Sequence, residues 1–163
     1  MIEPEVLYHG SNVGVQSPRL RYSRKELDFG AGFYTTTDFD QAERWARRVT
    51  KVRRRGEAIV TAYDVDHVAW PRLSALCFES ADAGWLRLVA EYRTGGTPAE
   101  DYDVIAGPVA DDRTIDVISQ YVAGTYDEAT ALRLLLPMRF RDQWVLKTEA
   151  AVSAITTREL IHL

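Results

Sequence analysis

One cysteine, three histidines and no long apolar run are found in the 163 residues, and each scarcity excludes a class of protein. A lone Cys77 rules out an intramolecular disulfide framework and a thiolate metal cluster. Within the apolar run Leu76-Cys77-Phe78 it reads as a buried, inert thiol. His9, His67 and His162 are far apart, with no i+3 or i+4 pair, so zinc-ligand spacing is absent and no metal is expected. No apolar stretch approaches the roughly 18 residues that span a bilayer, so no membrane association is expected. Neither the G-x-S-x-G elbow of serine hydrolases nor the G-x-x-x-x-G-K-[ST] of P-loop proteins occurs. Internal repeats and low-complexity linkers are missing as well. The one loop-like stretch, Thr94-Gly95-Gly96-Thr97-Pro98, is too short to separate domains, so a single domain over residues 1–163 is expected. Met1-Ile2-Glu3-Pro4-Glu5 is acidic and lacks the basic and apolar regions of a signal peptide, which points to a cytoplasmic protein.

What is present is an ordinary globular composition. Hydrophobic residues make up 46% and charged residues 27%, with a mean hydropathy of -0.24, enough to bury a core without staples. The net charge of -4 argues against a nucleic-acid polycation as a whole, but the charge is uneven. Arg44, Arg47, Arg48, Lys51, Arg53, Arg54 and Arg55 fall together, with Glu43 the neighbouring acid. This run reads either as a solvated helix end that complements the macrodipole or as a guide for an anionic partner.

Hydrophobic periodicity predicts a mixture of elements. Strands are expected at 6–9, 32–37, 57–64, 103–110, 143–147 and 159–163. Helices are expected at 38–51, where Phe39, Ala42, Trp45, Ala46 and Val49 recur at helical spacing behind an Asp38 N-cap, and at 82–93, 115–122, 127–136 and 149–155. Asp112 is read as the cap of the helix at 115. The elements do not alternate as βαβ units, so the fold class is α+β.

Two local patterns bear on chemistry. In Tyr8-His9-Gly10-Ser11 a histidine closes a strand beside a glycine that lets the backbone turn; an ordinary strand end with a half-buried histidine explains it equally. In Asp28-Phe29-Gly30-Ala31-Gly32-Phe33-Tyr34-Thr35-Thr36-Thr37, two glycines permit close approach of a ligand and the aromatics offer a stacking surface. A glycine-rich turn feeding a core strand is the alternative. Asp111-Asp112, with Asp101 and Asp103 nearby, could act as paired acids or simply cap a helix.

Together and in order, these runs resemble the bacterial ADP-ribosyltransferase superfamily, and more closely a group of small bacterial toxin- or effector-type domains within it. That group's run is Y-H-G-S, then D-F-G-x-G-F-Y-x-T, then Q-A-x-x-W-A, matched here by Gln41-Ala42-Glu43-Arg44-Trp45-Ala46. The likeness continues through residues 103–112 and Asp142-Gln143. It implies split mixed and antiparallel sheets flanked by helices, and NAD+ as co-substrate. The implied activity is mono-ADP-ribosyl transfer to a protein or nucleic-acid acceptor, in a toxin–antitoxin or phage-defence setting with an antitoxin or immunity protein as partner. NAD+ glycohydrolysis, or silent binding of NAD+, a nucleotide or a partner protein, are the alternatives.

By the same resemblance, His9 would hold the nicotinamide-side ribose, the Gly10 backbone the nicotinamide amide, and Tyr34 would stack on the ring. Tyr8, Ser11, Gly30, Gly32 and Phe33 would line the pocket, and Arg24, or its neighbours Arg19 and Arg21, would meet the pyrophosphate. The third catalytic position, commonly a glutamate, is Gln143. An amide can hydrogen-bond a ribose but supplies neither a general base nor a full negative charge. Asp142, on the opposite face of the strand, Glu149, in the first turn of a helix, and Asp111 are the other carboxylates in view.

Overall fold

Strand alternation and helical amphipathicity sort the side chains into three apolar clusters, and these define the layers. The computed structural model describes residues 3–20 and 27–163. One sheet is antiparallel, in the order β1 (Val6–Ser11), β3 (Ile59–Val65), β7 (Ile155–His162). The other is mixed, in the order β2 (Phe33–Thr35), β6 (Asp142–Leu146), β5 (Val104–Pro108), β4 (Ala75–Cys77), with β4 and β5 parallel. The two sheets meet at one bridge, where Tyr8 N–H donates to Thr36 O (2.8 Å) and Thr36 N–H to Tyr8 O (3.0 Å).

Between the sheets lies a cluster containing Leu7, Phe33, Tyr63, Val104, Trp144 and Leu146. Behind the mixed sheet, Phe29, Ile105 and Val145 pack against α2 (Ala83–Arg93), α3 (Asp112–Val122) and α4 (Glu128–Leu135). On the outer face of the antiparallel sheet, Ala42 and Ala46 of α1 (Phe39–Arg53) meet Val60, with Tyr8 and Phe39 alongside. The short α5 (Glu149–Ser153) leads into β7. The chain is therefore α+β, with two sheets flanked by helices.

Helix starts follow local chemistry. Asp38 caps α1 by accepting from Gln41 N–H, and Asp82 and Asp127 cap α2 and α4 in the same way, each such cap contributing about 1 kcal/mol. One expectation is corrected: α3 is capped by Asp111, which accepts from Thr114 N–H (3.0 Å) and Oγ1 (2.8 Å), while Asp112 is already helical. The β4 strand has no counterpart in the sequence pattern; only three residues long, it is drawn into register by parallel pairing to β5, a long-range cause with no local signal. β7 runs from Ile155, four residues earlier than its sequence pattern predicts, because its first half pairs with β3 across a register irregularity at Ala62/Tyr63.

Candidate functional site

The bridge at Tyr8 and Thr36 is where the sheets touch, and among the described residues no strand pairs with β1 beyond it on that side. In an antiparallel strand the peptide groups of successive residues point to alternate sides. Tyr8 uses its groups toward Thr36, so His9 directs its own toward Thr61 on β3, and Gly10 directs its N–H and C=O back to the edge from which β2 has diverged. Gly10 must also be glycine, because a Cβ there would strike the backbone of Ala42 and Ala46. The Y-H-G-S and Q-A-x-x-W-A runs are thus one packing unit: Gly10 lies flat against the two alanines of α1, and Trp45 is turned outward.

His9 projects between the sheets. Its ring lies 4.5 Å from that of Phe33, and its Nδ1–H donates to Tyr34 O at 2.7 Å. That bond sets the tautomer, so Nε2 of the neutral ring is an acceptor. Burial pushes the His9 pKa below its ordinary value, the Tyr34 carbonyl pulls it partly back, and the charge of Arg53 lowers it further. The imidazole is therefore neutral near pH 7. Arg53 itself is held by Asn12 Oδ1 at 2.7 Å.

Tyr34 and Gln143 occupy the other face of the mixed sheet. The Tyr34 hydroxyl donates to Gly30 O (2.7 Å) and accepts from Phe29 N–H (3.1 Å), so it latches the glycine-rich loop onto β2. Its pKa is pushed far up by burial, with Phe29 N–H opposing. Gly30 adopts a positive φ of 70°, and a Cβ there would meet the Tyr92 ring; at Gly32 it would meet Val145. The close approaches that require these glycines are to the protein's own core. Phe33 is core too, edge-on to Tyr63 at 5.7 Å.

Beneath the loop sits a buried polar network. Asp28, part of the D-F-G run but given no role from sequence, accepts from Arg93 Nε (2.8 Å) and Nη2, from Ala110 N–H (2.9 Å) and from Gln143 Nε2 (3.1 Å). Gln143 is only 4% exposed and also donates to Pro108 O at 3.2 Å. Lys147, the next unforeseen residue, threads under the same loop. Its Nζ donates to Phe29 O (2.8 Å) and Ala31 O (2.9 Å), pairs with Glu100 at 3.1 Å, and lies 4.8 Å from the Tyr92 ring centroid. Burial lowers its pKa while Glu100 opposes. A strand-terminal lysine carries no sequence signal for this role; the aspartate before F-G-x-G was the one available hint. A cavity of about 200 Å³ opens beside this network, lined by Gly30, Ala31, Tyr92, Gly95, Gly96, Thr97 and Glu100.

The other carboxylates are committed elsewhere. Asp142 does face away from Gln143. It accepts from Thr36 Oγ1 (2.7 Å), Thr37 N–H (3.1 Å), Thr37 Oγ1 (2.6 Å) and Trp144 Nε1 (2.8 Å), which fills its roughly four acceptor sites. Glu149 is exposed in the first turn of α5, and Asp103 ties Ser74 to Thr148. Tyr8 packs edge-on against Phe39 at 5.5 Å, and Ser11 is buried at the end of β1. Arg19 is exposed, whereas Arg21 and Arg24 lie outside the described residues. Cys77 is half-buried on β4, with a thiol pKa raised by burial against the Ala106 hydrogen bond. Among the described residues no group of three or more His, Cys, Asp or Glu could hold a metal, and no helix is long and apolar enough to cross a membrane.

The geometry defines a two-sheet α+β domain with a histidine where the sheets part, beside an edge of β1 that no described strand pairs. The chain belongs to the family described as protein of unknown function (DUF3990), which matches residues 5–157. No curated protein and no solved structure matches it.

Proposed function

We propose that this chain is an ADP-ribosyltransferase-like domain that binds NAD+ at the edge of β1 and passes ADP-ribose to a macromolecular acceptor. The observation that carries the reading is the pairing of a tautomer-fixed His9 with the peptide groups of Gly10, which register turns away from β3 at the divergence of the sheets. An N–H and C=O side by side, paired by no described strand, match a carboxamide, which needs one acceptor and one donor. The His9 Nε2 lone pair can take a ribose hydroxyl proton without adding a charge that would oppose a cationic pyridinium. NAD+ bound there supplies an activated glycosidic bond; His9 and Gly10 orient it, and Arg53, held by Asn12 just past the end of β1, is the cation offered to a phosphate. The collinear likeness of the sequence runs to toxin- and effector-type transferases supports the same reading, with a cytoplasmic target and an antitoxin or immunity protein as partner.

A second reading is favoured by one specific observation. The Gln143 amide is spent on Asp28 and Pro108 inside the core, which suits a module that binds NAD+ without turnover. Incubation with labelled NAD+ and cell extract separates the two. A transferase releases nicotinamide and labels an acceptor, and His9→Ala lowers both by about tenfold or more, about 1.4 kcal/mol. Nicotinamide release with free ADP-ribose indicates a glycohydrolase. Binding with neither product leaves the silent module, and absence of NAD+ binding overturns the proposal.

A further inference from the structure

The outer face of α1 is not explained by the fold. Arg44, Trp45, Arg48, Lys51 and Val52 are all exposed, Trp45 at 53% and Val52 at 74%. Trp45, Arg48 and Val52 follow an i, i+3, i+7 spacing, and Arg44, Arg48 and Lys51 follow i, i+4, i+7, so the five share one face. The Arg48 guanidinium lies 5.8 Å from the Trp45 ring centroid. Arg47 is engaged by Glu43 at 2.9 Å, and Arg48 lies 3.9 Å from an exposed Asp112. Arg44, Lys51, Arg54 and Arg55 pair with no carboxylate among the described residues.

Complementing the helix macrodipole accounts for cations in the last turn, Lys51 and Arg53, but not for Arg44 and Arg48 further up the helix. A merely solvated face does not call for an outward tryptophan. A protein partner is the weaker fit, because protein interfaces deplete charge at their centre. Here the two apolar side chains stand seven residues apart, about 10 Å along the axis, with cations between them. A row of cations beside an aromatic with one face for stacking is how single strands are held without sequence preference.

We infer that the outer face of α1 is a docking surface for single-stranded nucleic acid, with Arg44, Arg48 and Lys51 of the helix and the exposed Arg55 just past its C-cap tracking phosphates and Trp45 stacking on a base. The helix that carries this surface packs on the candidate site by its inner face, where Ala42 and Ala46 lie against Gly10. Under the NAD+ reading the docked strand is the acceptor. That corollary rests on the reading, whereas binding does not.

The test is fluorescence anisotropy with labelled mixed-sequence single strands of DNA and of RNA about 12 nucleotides long, and with the DNA duplex, from about 50 to 200 mM salt without NAD+. The expected result is tighter binding to single strands than to duplex, with a log–log salt slope of about -2 to -3, the value for three to four neutralised phosphates. The better of the two strands names the natural source. Arg44→Glu with Lys51→Glu should weaken binding tenfold or more and flatten the slope by about 1.4, at about 0.7 for each phosphate no longer neutralised. Trp45→Ala should weaken binding about tenfold with the slope retained, and Arg139→Glu, exposed on the chain between α4 and β6, should change little. These side chains are exposed, so melting temperatures should match and weaker anisotropy reports binding alone. Absent binding, binding indifferent to the α1 variants, or equal competition by polyglutamate overturns the inference. Because NAD+ is left out, each of these failures leaves the NAD+ reading standing, and loss of that reading leaves this one.

Discussion

The two faces of β2 handle polar groups in opposite ways. On the side of Tyr34, each polar group of the buried network has a partner: Asp28 holds Arg93, Ala110 and Gln143, Lys147 holds two loop carbonyls, and the Tyr34 hydroxyl both donates and accepts. On the side of Phe33, His9 spends one ring nitrogen on Tyr34 O, and the buried Gly10 beside it turns its peptide groups to an edge that no described strand pairs. A buried polar group with a full set of partners specifies the fold, and one with a lone pair to spare is free for a ligand. By what each motif residue has left to offer, the proposed chemistry falls to His9 and Gly10, while Asp28, Gly30, Gly32 and Gln143 hold the loop.

The hardest blow to the Tyr34 side is Asp28→Ala. The Asp28 side chain is 6% exposed and that of Arg93 27%. Removing the acid strands a largely buried guanidinium together with the Ala110 N–H and one Gln143 donor bond. Breaking a buried pair from one side costs about 3 to 5 kcal/mol, so urea unfolding should show a loss of that size. A loss below about 1 kcal/mol, with the slope m unchanged, would mean that the network contributes little and that the contrast between the two faces is false.

A sharper test is Gln143→Glu, which sets a carboxylate where the transferases that the sequence resembles commonly carry one. Here it sets a second acid where Gln143 Nε2 now lies 3.1 Å from Asp28 Oδ2 and turns a donor into a repelling acceptor. Loss of a hydrogen bond to a charged group corresponds to about 1.5 to 3 kcal/mol. The expected outcome is lower stability by that amount and no gain in nicotinamide release. An increase in release would place Gln143 with His9, on the chemical side of the comparison.

The parts of this architecture legible in the sequence are those with local causes. Asp38, Asp82 and Asp127 announce their helices by capping, and the periodicity of Phe39, Ala42 and Ala46 reveals the buried face of α1. The α+β class follows from the irregular order of elements. What stays hidden depends on contacts across the chain. β4 exists because β5 pairs with it, and Lys147 matters because the loop at 29–31 folds over it. The glycines of F-G-A-G-F, which suggest room for a ligand, face Tyr92 and Val145; a sequence shows that a glycine is needed, not what presses against it. His9 is visible as a residue and its spare lone pair is not, because the tautomer follows from a carbonyl 25 residues away.

The open side of the comparison can be probed by pH through His9. Its pKa is lower in the folded chain than the roughly 6.5 of an unfolded one. Between the two values the unfolded state binds more protons, so stability rises with pH there. Stability from this group is complete above about pH 6.5 and is lost as pH falls toward the folded value, with a slope of at most about 1.4 kcal/mol per unit. His9→Gln removes the titration and should flatten this part of the stability profile relative to the parent protein. NAD+ affinity, followed by calorimetry, should hold across that interval and decline as pH falls through the folded value, where His9 of the folded chain takes its proton. Protonation both consumes the Nε2 acceptor and places a cation against the pyridinium, so the two effects carry the same sign. If affinity also stays level as pH falls through the folded value, with the chain still folded, His9 titrates without touching the ligand, and the lone pair it keeps belongs to the fold after all.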